Sequence, residues 1–168
     1  HNVENYMTAA ALTRGLITRD DLVEVARTFG GVPHRIEFVR ELDGVKYYNS
    51  SIDSTPTRTE AALSVFDCRP VFILCGRDKH VPFDSLARAL YDRAGGVVVS
   101  GEAMPVIRRA LEAEATRRGS DSLPIAYEDD FFAAIDRART LARPGSAVVL
   151  SPSCTSFDRF RNFEERGD

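Results

Sequence analysis

The stretch AVVLSPSCTSFDRF, residues 147–160, decides how this chain is read. Ala147, Val148, Val149 and Leu150 form a short apolar run introduced by the breaker pair Pro144-Gly145, the pattern of a strand buried inside an α/β sheet. Ser151-Pro152-Ser153 is expected to halt that strand, and further small hydroxyl residues, Thr155 and Ser156, follow at once. In open α/β sheets ligands collect beyond the carboxyl ends of the strands, so Ser151, Ser153, Thr155 and Ser156 lie where a small polar substrate would be held. The same residues also suit an ordinary turn capping a helix that starts at Phe157, and both readings stand on the residues alone. Phe157, Phe160 and Phe163 recur every three residues and predict a core-facing helical stripe over the tail.

Working back from this strand, apolar runs and amphipathic segments take turns. A strand at 71–75 precedes a helix at 84–93, a strand at 97–100 precedes a helix at 103–118, and a strand at 124–127 precedes a helix at 129–142. Asp129-Asp130 opens the last of these helices and Arg137, Arg139 and Arg143 crowd its end, the order that the helix dipole favours. From Arg35 the period is two: Ile36 and Phe38, then a turn at Asp43-Gly44, then Val45 and Tyr47, which predicts a β-hairpin. A helix at 57–66 joins it to the alternating part. The fold class is therefore α/β, a Rossmann-like, doubly wound and mainly parallel sheet of about six strands with an amino-terminal hairpin.

Residues 3–29 carry helical spacing with no strand to cover, and Thr18 with Asp20-Asp21 marks a helix start while Gly30-Gly31 marks a stop. A helical pair of this size buries little by itself, so residues 1–33 read as the trailing helices of a preceding domain plus a hinge, and residues 34–168 as one domain. The chain has 168 residues, 43% of them hydrophobic, enough for one core. Lys and Arg number 22 against 25 Asp and Glu, a net charge of -3, which gives no basic surface for nucleic acid or acidic membranes. Cys68, Cys75 and Cys154 are odd in number and without metal-site spacing, the usage of reduced intracellular thiols. With neither a membrane-length apolar run nor a leader pattern, the expectation is a cytoplasmic protein.

Four places carry groups suited to chemistry. Lys79 follows the 71–75 strand directly in CGRDKH, so its ammonium emerges at the same sheet edge as the tail hydroxyls and offers a cation to a carboxylate ligand; pairing with Asp78 or Asp84 is the plainer alternative. Residues 49–56 supply Ser50, Ser51, Ser54 and Thr55 before a helix start, an anion seat or a simple N-cap. Arg35 at the domain junction offers a guanidinium fork for phosphate oxygens, or is an edge-strand arginine. His34 and His80 have no Ser or Cys partner in a catalytic pattern and are taken as structural or hinge residues. No G-x-x-x-x-G-K-[ST] loop and no G-x-G-x-x-G occur, so neither a P-loop nor a dinucleotide fingerprint is present.

Five segments, HNVEN (1–5), GVPHR (31–35), NSSIDSTPTRTEAAL (49–63), CGRDKHVPFDSLARAL (75–90) and LSPSCTSFDRFRNFEERGD (150–168), resemble the Mur ligase family, specifically its D-glutamate-adding branch, in the family's order along nearly the whole chain. The resemblance implies a carboxyl-terminal fragment of an ATP-dependent ligase that adds D-glutamate to UDP-N-acetylmuramoyl-L-alanine through an acyl phosphate during peptidoglycan synthesis. It assigns Lys79, Ser54, Ser156 and Phe163 to D-glutamate, and Arg35, Asn2 and Asn5 to ATP. It makes ATP and Mg²⁺ the cofactors of the full-length enzyme, with none expected on this segment alone, and it implies closure about residues 30–34. The commonest family pattern has an Asp after Asn49 and a Lys two places later, where this chain has Ser50 and Ile52; Asp53 is the candidate replacement carboxylate. The alternatives are another ligase of the superfamily, such as a folylpoly-γ-glutamate synthetase, and a non-catalytic Rossmann-like binding domain. The 158–168 run favours the D-glutamate branch over the first, and the missing glycine fingerprint counts against the second.

Overall fold

The computed structural model describes residues 2–120 and 122–168, the side chains of residues 2–4 excepted. The chain divides into two compact units, His1–Val32 and Pro33–Asp168. The first holds helices α1 (Asn2–Leu12) and α2 (Arg19–Thr28). Thr18 starts α2 with a capping box: its hydroxyl accepts from the Asp21 amide while the Asp21 carboxylate accepts from the Thr18 amide at 2.8 Å. These hydrogen bonds from Thr18 hold the Asp21 carboxyl below its ordinary value. The helix stops at Phe29, just before Gly30-Gly31.

The second unit contains six strands, β1 (Glu37–Leu42), β2 (Val45–Asn49), β3 (Val71–Cys75), β4 (Gly96–Ser100), β5 (Ile125–Tyr127) and β6 (Ala147–Ser153). They lie side by side in the order β1-β2-β6-β3-β4-β5, with β1 antiparallel to β2 and every other pair parallel. Asp43 and Gly44 both have positive φ, the two-residue turn that matches strand twist in a hairpin. Helices α3 (Pro56–Leu63), α4 (Asp84–Arg93), α5 (Met104–Arg118) and α6 (Phe131–Leu141) connect the strands, and α7 (Phe163–Gly167) ends the chain.

Alternation along the strands divides the core between two faces. Phe72 and Leu74 of β3, Val97 and Val99 of β4 and Ala147 and Val149 of β6 pack with α3, α4 and α5 through Leu63, Leu86, Leu90, Ile107 and Leu111. Val71, Ile73, Val98 and Val148 face the other way onto Ala134 and Ala138 of α6, small residues one turn apart that let the helix lie close to the sheet. Helices cover both faces, so the doubly wound expectation is met. β1 is exposed along its length, as an edge strand.

Two expectations from sequence are corrected. Pro152 does not end β6: Leu150 pairs with Ile73 and Ser153 with Cys75, so Pro152 lies in a bulge, where a central strand tolerates proline. The aromatic spacing of the tail is not a helical stripe, because no helix forms before Phe163. Phe157 is 60% exposed, Phe160 instead packs edge-on against Phe131 at 5.1 Å, and Phe163 does so against His34. Helix ends move slightly: the predicted 57–66, 103–118 and 129–142 helices are Pro56–Leu63, Met104–Arg118 and Phe131–Leu141. Among the described residues no helix is long and apolar enough to cross a membrane. Cys68, Cys75 and Cys154 are unpaired, and burial pushes the Cys75 and Cys154 thiols up to about 12.

Two outcomes follow from this packing. Gly76 sits at φ 116°, and a Cβ there would overlap the Thr155 carbonyl oxygen, so Gly76→Ala lowers stability by ~2–4 kcal/mol in a denaturant titration. Buried Glu114 of α5 is gripped by Arg117 at 2.6 and 2.7 Å and by Arg118, which lowers its carboxyl from 4.5 to about 2. Because the folded value is the lower one, this contribution is complete above pH 4.5 and is lost as pH falls towards 2. Glu114→Gln therefore flattens the acid limb of the stability-against-pH curve in that window, and an unchanged limb would contradict the assignment.

Candidate functional site

The carboxyl ends of β2, β6 and β3 lie next to one another, and the loops that leave them converge. Arg77, just past β3, makes an isolated antiparallel bridge with Thr155, just past β6, its amide donating to the Thr155 carbonyl at 2.9 Å. Positive φ at Gly76 turns the chain into this bridge. Asp78 then accepts from the His80 amide at 2.8 Å, an Asx turn around Lys79. The Lys79 ammonium donates to the Ser54 hydroxyl at 3.1 Å, which joins the loop after β3 to the loop after β2. Lys79 thus pairs with neither Asp78 nor Asp84; its partner is a neutral hydroxyl, which leaves the ammonium's charge available to an anion.

The loop after β2 is held from below. Arg166 of α7 is buried; its guanidinium donates to the Ser51 hydroxyl at 3.0 Å, the Ser51 carbonyl at 2.8 Å and the Cys154 carbonyl at 3.2 Å. Desolvation lowers the Arg166 pKa from its ordinary value. The Ser51 hydroxyl donates in turn to the Phe163 carbonyl at 2.7 Å. Asn49 lies within 2.9 Å of the His34 ring nitrogen and donates to the Gly167 carbonyl. His34 also approaches Asp168, and exposed His80 approaches Asp78.

Of the tail hydroxyl residues, Ser151, Ser153 and Ser156 are buried, while half-buried Thr155 donates its hydroxyl to the Arg77 carbonyl at 3.2 Å. Ser151 and Ser153 are buried and spend their hydrogen bonds inside the protein, Ser151 on Asp53 and Thr59 at 2.9 Å each and Ser153 on Thr59 at 2.8 Å. They do not face a ligand, and the expectation that they would is corrected. Ser156 is also buried, its carbonyl accepting from the amides of Arg159 and Phe160 in a tight turn, one residue beyond the Arg77–Thr155 bridge. Phe163 is half-buried at the start of α7. Thr55 is the N-cap of α3 but its hydroxyl pairs with that of Thr57 at 3.2 Å and caps no amide, and Ser54 is turned to Lys79, so the capping alternative does not hold.

Lys79 and Ser54 are thus brought into direct contact; Ser156 follows Thr155, which is bridged to Arg77, and Phe163, at the start of α7, accepts from the Ser51 hydroxyl on its carbonyl. Arg35 is exposed and belongs to the turn before β1, not to the strand itself. Asn5 is exposed on α1, in the first unit, and the side chain of Asn2 lies outside the described residues. Among the described residues no three His, Cys, Asp or Glu side chains converge to hold a metal ion. Sequence reasoning missed Thr59 and Arg166. Nothing in the spacing of a helical Thr or a terminal Arg announces burial at a sheet edge. Asp53, the candidate replacement carboxylate, proves to be buried.

Residues 34–154 match the family model described as Mur ligase, glutamate ligase domain. The chain is 46% identical over 168 residues to a UDP-N-acetylmuramoylalanine--D-glutamate ligase of Clostridium novyi (strain NT), and 44% identical over 169 residues to one of Clostridium perfringens (strain 13 / Type A). In each case all of the chain is covered but only 36% of the relative, so the chain spans about a third of their length. Among solved structures, a murein peptide ligase from Psychrobacter arcticus 273-4 superposes with a TM-score of 0.62 at 18% identity, over 92% of this chain and 34% of that one. A bifunctional folylpolyglutamate synthase/dihydrofolate synthase from Yersinia pestis CO92 does so with 0.63 at 12%, over 87% and 34%. The structural likenesses speak for the fold, and the sequence matches over the whole chain carry the rest: this chain belongs to the Mur ligase family.

Proposed function

We propose that this chain is the carboxyl-terminal part of an ATP-dependent ligase that adds D-glutamate to UDP-N-acetylmuramoyl-L-alanine in the cytoplasm. Residues 34–168 would form its amino-acid-binding domain, and residues 1–33 the trailing helices of its ATPase domain and the hinge. The observation that carries the reading is the Lys79–Ser54 hydrogen bond at the carboxyl edge of the sheet. It presents an ammonium and a hydroxyl together where a small ligand collects in this architecture. The named relatives support D-glutamate as the amino acid and UDP-N-acetylmuramoylalanine as its acceptor.

In this reading Lys79 and Ser54 grip a carboxylate of D-glutamate, with Ser156 and Phe163 lining the same place, in part through backbone groups. Arg35, exposed before β1, meets the phosphates of ATP, and Asn2 and Asn5 belong near its base. The alanyl carboxylate takes the γ-phosphoryl group of ATP to give an acyl phosphate and ADP. The D-glutamate amine then attacks the acyl carbon, loses a proton and expels phosphate. None of these residues is a nucleophile, so the domain contributes by positioning. Holding an amine against an acyl phosphate is worth up to ~7–11 kcal/mol of barrier in well-oriented systems, so a domain of this kind is still required for rate.

The test extends the chain to the length of its relatives and follows phosphate release with D-glutamate and with L-glutamate. Lys79→Ala is expected to raise KM for D-glutamate by a factor of ~10² or more, the cost of an unpaired bound carboxylate, with a smaller effect on KM for ATP. Equal use of L-glutamate, or full Lys79→Ala activity at limiting D-glutamate, overturns the site assignment.

A further inference from the structure

The amino-terminal edge of the sheet carries a cavity of about 530 Å³, lined by Val71, Gly95, Pro124 and Ser146, which begin or directly precede β3, β4, β5 and β6. Its volume lies within the ~300–1,000 Å³ of a small-molecule site. Substrates of open α/β sheets collect at the carboxyl edge, so this cavity stands apart from the place of Lys79 and Ser54. Main-chain bonds fix its walls. The Gly95 amide donates to the Pro70 carbonyl at 2.8 Å and joins the entries of β3 and β4, and the Val97 amide donates to the Pro124 carbonyl at 2.9 Å. The Gly145 amide donates to the Gly44 carbonyl at 2.8 Å and pins the turn before β6. Buried Tyr91 and Leu123, with half-buried Leu141, give the lining an apolar part.

Two guanidinium groups give the cavity its charge. Arg69 uses Nη2 to donate to the carbonyls of Tyr91 at 3.3 Å and Asp92 at 2.8 Å, at the end of α4. These bonds hold the group in place, and among the described residues its Nε and Nη1 have no acceptor. The Asp92 carboxylate is itself turned to Arg118, at 2.8 Å. Arg143 is fixed through its main chain: the Ser146 hydroxyl accepts from its amide at 3.1 Å and donates to its carbonyl at 2.7 Å. Its guanidinium has no hydrogen-bond or ion-pair partner among the described residues. None of the described lining residues is Asp or Glu. In a chain of net charge -3, two cations without a counter-charge make this cavity a local exception.

We propose that this cavity binds a small organic phosphate, its oxygens held by Arg69 and Arg143 and its organic part against Tyr91, Leu123 and Leu141. A guanidinium fork matches the oxygens of a phosphate. Two guanidinium groups call for a ligand with close to two negative charges, which a phosphate monoester carries at neutral pH and a single carboxylate does not. An oxyanion alone would leave most of the volume and the apolar wall unfilled, so the ligand has an organic body. The site is independent of the D-glutamate site and of the reading given to it.

The test titrates phenyl phosphate into the 168-residue chain and follows amide resonances by NMR. Saturable shifts are expected at Gly95, Gly145 and Ser146. Inorganic phosphate, which lacks the ring, and benzoate, which lacks the second charge, are each expected to bind about tenfold more weakly. Arg143 is exposed, so Arg143→Gln keeps the fold, as unchanged resonances at 72–74 would show, and is expected to weaken phenyl phosphate about tenfold or more. Lys79→Ala, at the other edge of the sheet, is expected to leave the affinity as it was. The absence of a saturable shift at the amino-terminal edge overturns the proposal, as does an Arg143→Gln chain that binds phenyl phosphate as tightly as the parent. So does loss of the shifts in Lys79→Ala, which would place the ligand at the carboxyl edge. Equal affinity for inorganic phosphate or for benzoate overturns the assignment to an organic phosphate.

Discussion

A buried guanidinium holds the carboxyl edge of this sheet together. Arg166 comes from the last helix, reaches under the loop after β2, and finds its partners in one hydroxyl and two carbonyls, on Ser51 and Cys154. A cation out of water is costly unless its donors are used, and a planar fork with five N–H groups can use them in a way that an ammonium cannot. The consequence is geometric. Three segments, residues 49–54 and, far from them in sequence, residues 154–156 and 163–167, share one fastening point. The Ser51–Phe163 and Asn49–Gly167 bonds close the same joint from its sides.

Above that joint the polar groups fall into two layers. The lower layer, Asp53, Ser151, Thr59 and Ser153, is buried and satisfied internally, so it fixes loop shape. The upper layer, Lys79 and Ser54, is open to solvent or half so and makes a bond that a ligand can replace. Rigidity thus lies beneath, and the solvent-facing Lys79–Ser54 bond lies on top. The Arg77–Thr155 bridge ties the chain just past β3 to the chain just past β6.

The alternating strands and helices were legible in sequence because each apolar run of β3, β4 and β6 is buried on both faces, which removes ambiguity about its type. The hairpin was legible from Asp43-Gly44, a pair that tolerates positive φ. Pro152 misled because proline usually ends a central strand, and only the partner strand reveals the bulge that accommodates it. The three phenylalanines misled because their spacing suits a helix that turn residues prevent. At the site, Lys79 and Ser54 could be named from sequence, but the inward fate of Ser151 and Ser153 could not. A hydroxyl at a strand end faces ligand or core according to Thr59 and Asp53, about 90 or more positions away, a relation that no local pattern encodes.

Amide hydrogen exchange on Arg166→Lys tests most directly whether one buried fork organises the edge. The charge stays, but the planar fork that reaches Ser51 and Cys154 at once is lost. The account predicts that amides at 50–54 and at Thr155 lose protection while those at 72–74 and 97–99, in the centre of the sheet, keep theirs. Unchanged protection at 50–54 would contradict it, because the loops would then hold their shape without the guanidinium.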